Sequence, residues 1–225
     1  MKVVALIPAR GGSKEIPKKN ITLLNGKPLL HYTLETALKS VWIKDIWVST
    51  DDEEIKKAAL NLPDIKVWDR PVELAQDNSS TESVAQEFAE HVAFDVLVLL
   101  QCTSPLLSVH HLDKGIEQVM AGRYDSSFSV ARVKQWLWKG HEQNKLYPAQ
   151  GYQINQIKDR AMRQNISTML VHKVETGAFY ITTRKAFEQS GCRISGWIGT
   201  VEVPFWQSFE VDSYEDLKNI ERLLK

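Results

Sequence analysis

Apolar positions in this chain follow two alternating rhythms, short unbroken runs and stripes recurring every three or four residues. Lys2 to Pro8 is an apolar run that reads as a buried strand, followed by the polar stretch ARGGSKEIPKKN. Pro28 suits the first turn of a helix, with Leu30, Leu34, Ala37 and Leu38 on one face. Ile46 to Ser49 reads as a second strand. Thr50 is expected to cap the helix that follows, where Asp51 and Asp52 favour the N-terminus and Ile55, Ala58, Ala59 and Leu62 form the stripe. Val84, Phe88 and Val92 mark a helix after Ser79-Ser80-Thr81. Asp95 to Leu100 (DVLVLL) is apolar at successive positions, as expected of a strand covered on both faces.

The spacing predicts a helix over Val109 to Met120 and a strand over Ser127 to Val133. From Trp136 to Ser167 the periodicity fades. Alternation resumes at Gly177-Ala-Phe-Tyr-Ile and near Thr200 to Val203. Ser213 and Asp216 have capping-box spacing, ahead of a helix with Tyr214, Leu217, Ile220 and Leu224 on one face. Strands alternating with helices predict an α/β fold, a mostly parallel sheet with helices on both faces.

Composition narrows the possible partners. With 225 residues, 43% apolar and 25% charged, the chain is expected to form a single domain able to bury a sizeable core. Lys plus Arg and Asp plus Glu both number 28. That balance gives no bulk attraction to nucleic acid or to an anionic membrane, so any phosphate binding must come from local clustering. Met1 to Pro8 is too short to span a bilayer and lacks a cleavage pattern, and no later stretch reads as transmembrane. Cys102 and Cys192 lack metal-ligand spacing and are expected as free thiols in the cytoplasm. Adjacent His110 and His111 cannot both face one site on a helix and read as solvated.

The candidate chemistry begins at Pro8. Gly11 and Gly12 are expected to allow close approach of a ligand and positive φ angles, and Ser13 adds a hydroxyl. Arg10, Lys14, Lys18 and Lys19 put four cations within ten residues. Close amides with several cations are what a triphosphate requires, although a solvated basic loop has the same composition. The spacing matches neither G-x-x-x-x-G-K-[ST] nor G-x-G-x-x-G, which disfavours a dinucleotide dehydrogenase.

The stretch IPARGGSKEIPKKN resembles the signature loop of the CMP-sugar cytidylyltransferases, which activate sialic acids and related acidic sugars. The likeness continues through NGKPLLHYTLETAL, VSTDDEEI, DRPVELAQDNSSTES, LLQCTSPLL, GAFYIT and EVDSYEDL. It implies a Rossmann-like domain over residues 1–225, with an inserted dimerisation and sugar-pocket arm at about 136–167 that includes Trp136, Trp138 and Lys139. It implies transfer of CMP from CTP to the anomeric hydroxyl of an acidic nine-carbon keto sugar, releasing pyrophosphate, in a cytoplasmic homodimer.

By that resemblance the CTP phosphates fall on Arg10, Gly11, Ser13, Lys14 and Lys19, with Asn20 closing the turn, and Arg10, Lys14 and Lys19 carry catalysis. Arg70 of RPVEL lies near the nucleotide, and Ser79 and Ser80 approach ribose and base, although hydroxyls there also serve as helix caps. Gln101, Thr103 and Ser104 follow the central strand on the substrate side, with Cys102 where the family has proline. Arg163 and Gln164 match the start of an R-Q-x-x-P element that contacts the sugar acid, with Ser167 in place of proline, and Tyr180 lines the sugar pocket. Glu210 and Asp212 occupy the family's D-x-D metal position and imply Mg2+, with Glu210 the departure. Two alternatives stay open: an eight-carbon keto-acid sugar (octulosonate) as acceptor, and a CTP-binding homologue without catalysis.

Overall fold

The structure, a computed structural model, describes residues 1–133, 138–141, 145–148 and 172–224, with the backbone alone over 138–141 and 145–148. The strand β1 (Val3–Pro8) is the centre of the sheet because its side chains bury on both faces. It pairs in parallel with β4 (Ile43–Thr50) on one side and with β6 (Val96–Leu100) on the other. Beyond β4 lies β5 (Ile65–Asp69). Beyond β6 lie β10 (His172–Thr183), β7 (Ser126–Val133) and β11 (Ile198–Val203), making seven strands in all. β10 runs antiparallel to both β6 and β7, so the sheet is mixed but mostly parallel, as expected. Two short hairpins stand apart, β2 (Leu23–Leu24) with β3 (Lys27–Pro28), and β8 (Trp138–His141) with β9 (Lys145–Pro148).

Helices cover both faces. On one side α1 (Leu29–Lys39), α2 (Glu53–Leu60) and α4 (Val109–Met120) press Leu34, Ile55 and Ile116 against Val3, Ala5 and Ile7. On the other, α3 (Thr81–His91) and α5 (Arg184–Ser190) bring Phe88 and Phe187 onto Val4 and Leu6. A third apolar cluster joins Ile16 of the polar loop to Val211 and to Leu217 and Ile220 of α6 (Tyr214–Leu223). Ile16 is fully buried, which fixes a loop whose composition reads as solvated.

Several expectations shift by a residue or two. Asp52, not Thr50, caps α2, its Oδ1 accepting from the amides of Glu54 and Ile55 at 2.8 and 3.0 Å. Thr50 stays in β4 because it still pairs with Asp69 of β5. α4 spans the predicted residues, and the predicted capping box of α6 is present. In it Asp216 Oδ2 accepts from the amides of Ser213 at 2.8 Å and Asp212 at 3.2 Å, so the cap also sets the backbone of the acidic pair. Trp136, Arg163 and Gln164 lie outside the described residues.

From β1 the chain moves outward to β4 and β5, then returns across β1 to β6. Connections therefore diverge at the carboxyl ends of β1 and β6, the kind of switch point where open α/β sheets collect ligands. Asp216→Ala removes one half of the box, and its expected cost is about 1 kcal/mol. Differential scanning calorimetry should then show a melting temperature about 2–4 °C lower.

Candidate active site

A cleft of about 640 Å³ opens at that divergence. Pro8, Arg10, Ser13, Lys14, Lys19 and Asn20 from the loop after β1 form one wall, and Gln101, Cys102 and Thr103 after β6 form another. Arg70, Asp77, Ser79, Ser80 and Thr81 come from the segment between β5 and α3, and Asp212 from the turn before α6. Residues scattered over the sequence are thus brought to one place because each follows the carboxyl end of a strand or precedes a helix.

The loop is held from below. Gly11 N–H donates to Asp51 Oδ1 at 2.9 Å, and a Cβ on Gly11 would lie 2.9 Å from the side chain of Asp52. Glycine is needed here for close approach of two loops rather than for a positive φ. Neither Gly11 nor Gly12 is left-handed; that conformation falls on Lys18, at φ 53°. Lys18 turns outward to Glu54, leaving Arg10, Lys14 and Lys19 as the loop's cations in the cleft. Asn20 closes the turn by donating to Arg10 O at 3.0 Å. Lys19 Nζ lies 3.0 Å from Asp212 Oδ1 across the cleft.

Arg70 is the most telling residue. It is 7% exposed, and its Nε and Nη2 donate to Ser49 Oγ and Ser49 O at 3.1 and 2.7 Å. Among the described residues no carboxylate reaches it within ion-pair distance. Burial pushes its pKa down, while Asp51 pulls the other way. A guanidinium stays protonated through such a shift, so the cleft floor keeps a desolvated positive charge that an anionic ligand would neutralise.

Other expected residues take different parts. Ser80 caps α3 by accepting from Ser83 N at 3.0 Å, and Ser79 Oγ donates to Glu73 O at 3.0 Å, so both hydroxyls are in use at the cleft wall. Ser104 is buried beneath the cleft and donates to Glu210 Oε1 at 3.2 Å, with Thr103 Oγ1 at 3.4 Å from the same oxygen. Tyr180 is 3% exposed and lies outside the cleft lining. Its ring stacks on Phe128, Arg193 lies over it, and its hydroxyl donates to Glu175. Period-two alternation along β10 puts it on the α3 face of the sheet, in the second core cluster. Cys102 borders the cleft, but burial pushes its thiol up to about 12, so it stays protonated and is no nucleophile. Both cysteines are free, as expected. His110 is exposed, whereas His111 is half-buried, its Nδ1 2.7 Å from Ser108 Oγ.

Glu210 and Asp212 differ in setting. Asp212 faces the cleft, whereas Glu210 is tucked behind it, so close to Gly177 that a Cβ there would lie 2.3 Å from Oε1. Burial raises the Glu210 pKa, Asp212 adds to the rise, and the two hydroxyls oppose it. Two hard carboxylates in one field, one of them incompletely compensated, form a donor set that suits a hard divalent ion. Among the described residues no three His, Cys, Asp or Glu form a closed cage. An ion there would take its other ligands from water and phosphate, as magnesium commonly does.

Asp77 is a cleft residue that sequence reasoning missed, as are Glu15, Thr81 and Val84. Asp77 lies inside DRPVELAQDNSSTES, where nothing local sets it apart from Asp69, Glu73 and Glu82.

A mostly parallel sheet with a cationic cleft at its switch point defines an α/β protein built to bind an anionic ligand. The chain belongs to the cytidylyltransferase family, whose model matches residues 4–172. It is similar to N-acylneuraminate cytidylyltransferase B of Danio rerio, 38% identical over 209 residues, covering 92% of this chain and 48% of that protein. The chain thus spans about half the length of that relative. Pseudaminic acid cytidylyltransferase of Campylobacter jejuni is 28% identical over 230 residues, covering 100% of this chain and 97% of that protein. A solved structure of CMP:2-keto-3-deoxy-manno-octonic acid synthetase complexed with CTP shares the fold, with a TM-score of 0.71 at 18% identity, covering 100% of this chain and 98% of that one.

The raised Glu210 pKa carries a stability consequence. An acid whose folded pKa lies above its unfolded value loses stability as pH rises through that interval, and the loss persists at neutral pH. With chelator present, Glu210→Gln is therefore expected to melt higher than the parent at pH 7. The difference should vanish below pH 4, where both forms are neutral. Thermal unfolding followed by circular dichroism at the two pH values checks this.

Proposed function

We propose that this protein is a magnesium-dependent enzyme transferring CMP from CTP to the anomeric hydroxyl of an acidic nine-carbon keto sugar, with release of pyrophosphate. The observation that carries the reading is the buried Arg70 guanidinium, without an ion-paired carboxylate among the described residues, in a cleft shared with Arg10, Lys14 and Lys19. Family membership and the names of the two relatives support the nucleotide and the acidic sugar.

In this mechanism Arg70 neutralises nucleotide phosphate from below, while Arg10, Lys14 and Lys19 stabilise the charge gathering on the departing pyrophosphate. Displacement at phosphorus depends mainly on such positioning and neutralisation. The N-terminus of α3, at Ser80 and Thr81, adds a favourable dipole toward an anion in the cleft. Gln101 and Thr103 offer polar contacts to the acceptor. Asp212, backed by Glu210, would hold magnesium, which when bound supplies charge neutralisation and alignment at the α-phosphate. Burial of Cys102 keeps its thiol from competing as a nucleophile.

We assign the reaction to the cytoplasm, supported by the two free cysteines. No described helix is long and apolar enough to cross a membrane. We also propose a homodimer, supported by the half-exposed aromatic rings of Phe205, Trp206 and Phe209. Light scattering after gel filtration should give twice the chain mass, and a monomer at micromolar concentration would refute the dimer.

The test is pyrophosphate release with CTP, magnesium and a panel of sialic, deaminated sialic, legionaminic, pseudaminic and octulosonic acids. Release with a nine-carbon acid, abolished by chelator, is the expected result. Silence across the panel despite CTP binding would overturn the catalytic reading. Lys14→Ala should lower turnover about tenfold or more, corresponding to at least ~1.4 kcal/mol of lost transition-state stabilisation. Arg70→Ala should weaken CTP binding by a similar factor, read by calorimetry.

A further inference from the structure

Two of the cleft's cations are already engaged by one carboxylate. Asp77 Oδ1 lies 3.1 Å from Arg10 Nη1, and its Oδ2 lies 2.6 Å from Lys14 Nζ. Arg10 Nη1 also donates to Gln76 O at 2.9 Å. Asp77 thus spreads its two oxygens over two cations, as a phosphoryl group does. The Lys14 contact holds the Asp77 pKa below the usual carboxylate range.

The segment that carries Asp77 is otherwise tied mainly to itself. Gln76 Nε2 donates to Val72 O at 2.7 Å, Ser79 N to Gln76 O at 3.1 Å and Ser79 Oγ to Glu73 O at 3.0 Å. Among the described residues, the contacts with Arg10 and Lys14 are what fasten this segment across the loop after β1. The charged contacts reach solvent: the Asp77 side chain is 52% exposed, that of Lys14 75% and that of Arg10 32%. Solvent-exposed pairs of this kind are weak and screened by salt. A ligand with several negative charges can therefore replace Asp77 readily, and Asp77 can return when that ligand leaves. Among the described residues Arg70 has no carboxylate within ion-pair distance to displace.

We infer that Asp77 is an internal counter-anion of the cleft, competing with the ligand's polyphosphate for Arg10 and Lys14 and so speeding the departure of pyrophosphate. This rests on the cleft being a phosphate site, as proposed above. Asp77 is a positioning residue, since it acts through the two cations rather than on reacting atoms.

The experiment compares wild type, Asp77→Asn and Asp77→Glu by isothermal titration with inorganic pyrophosphate and with CTP at 50 mM salt. Asp77→Asn should bind pyrophosphate about fivefold more tightly, with the gain shrinking in 0.5 M salt. Asp77→Glu keeps the charge and should stay near wild type. In steady state Asp77→Asn should lower both KM for CTP and kcat, a joint fall that a merely structural defect would not give. Pyrophosphate affinity in Asp77→Asn that is unchanged or weaker than wild type would overturn the inference alone. A wild type that binds neither pyrophosphate nor CTP would overturn the reading of the cleft, and this inference with it.

Discussion

The structure depends on β1 being buried on both faces. Val4, Leu6 and Ile7 are fully inaccessible, so the strand has no polar side and its neighbours must cover it completely. Helices α1, α2 and α4 on one face and α3 and α5 on the other achieve this, while parallel pairing with β4 and β6 sends the chain away in opposite directions at the same end. The polar residues that cannot enter such a strand collect where it stops. Cleft and core are consequences of one constraint.

The site inherits an uneven electrostatic design. Arg70 is desolvated and, among the described residues, has no carboxylate within ion-pair distance, whereas Arg10, Lys14 and Lys19 sit opposite Asp77 and Asp212. The buried charge provides the lasting pull, and exposed Lys14 is free to exchange partners, because screening keeps the exchange inexpensive. On the acidic side the roles divide by depth. Asp212 meets the cleft, while Glu210 spends its hydrogen-bonding capacity on Ser104 and Thr103.

Much of this was legible in the chain because the relevant rules are local. The unbroken apolar runs marked β1 and β6, the stripe marked α4, and Ser213 with Asp216 announced a helix start. Where sequence reading fell short, the deciding neighbour was distant. Tyr180 alternates correctly along β10, but only the position of α3 tells which face is the cleft. Gly11 reads as a glycine for close approach of a ligand and for a positive φ, whereas its close approach is to Asp52, forty-one residues on, without a positive φ. Ser104 reads as a substrate contact, since nothing local reveals that its hydroxyl will donate to Glu210. Asp77 went unassigned because its two partners, Arg10 and Lys14, lie more than sixty residues away.

Ile16 has a consequence for the order in which the protein takes shape as it is synthesised. The loop that carries Arg10 and Lys14 is made before Val211, Leu217 and Ile220, which lie about 200 positions further on in the cluster that seats Ile16 with Leu24, Leu29 and Leu106, a separation that makes closure slow. Because synthesis runs from the N-terminal end, the basic loop has only part of its apolar anchor until α6 is made. A nascent chain therefore carries the cations of the cleft before their loop is fully seated.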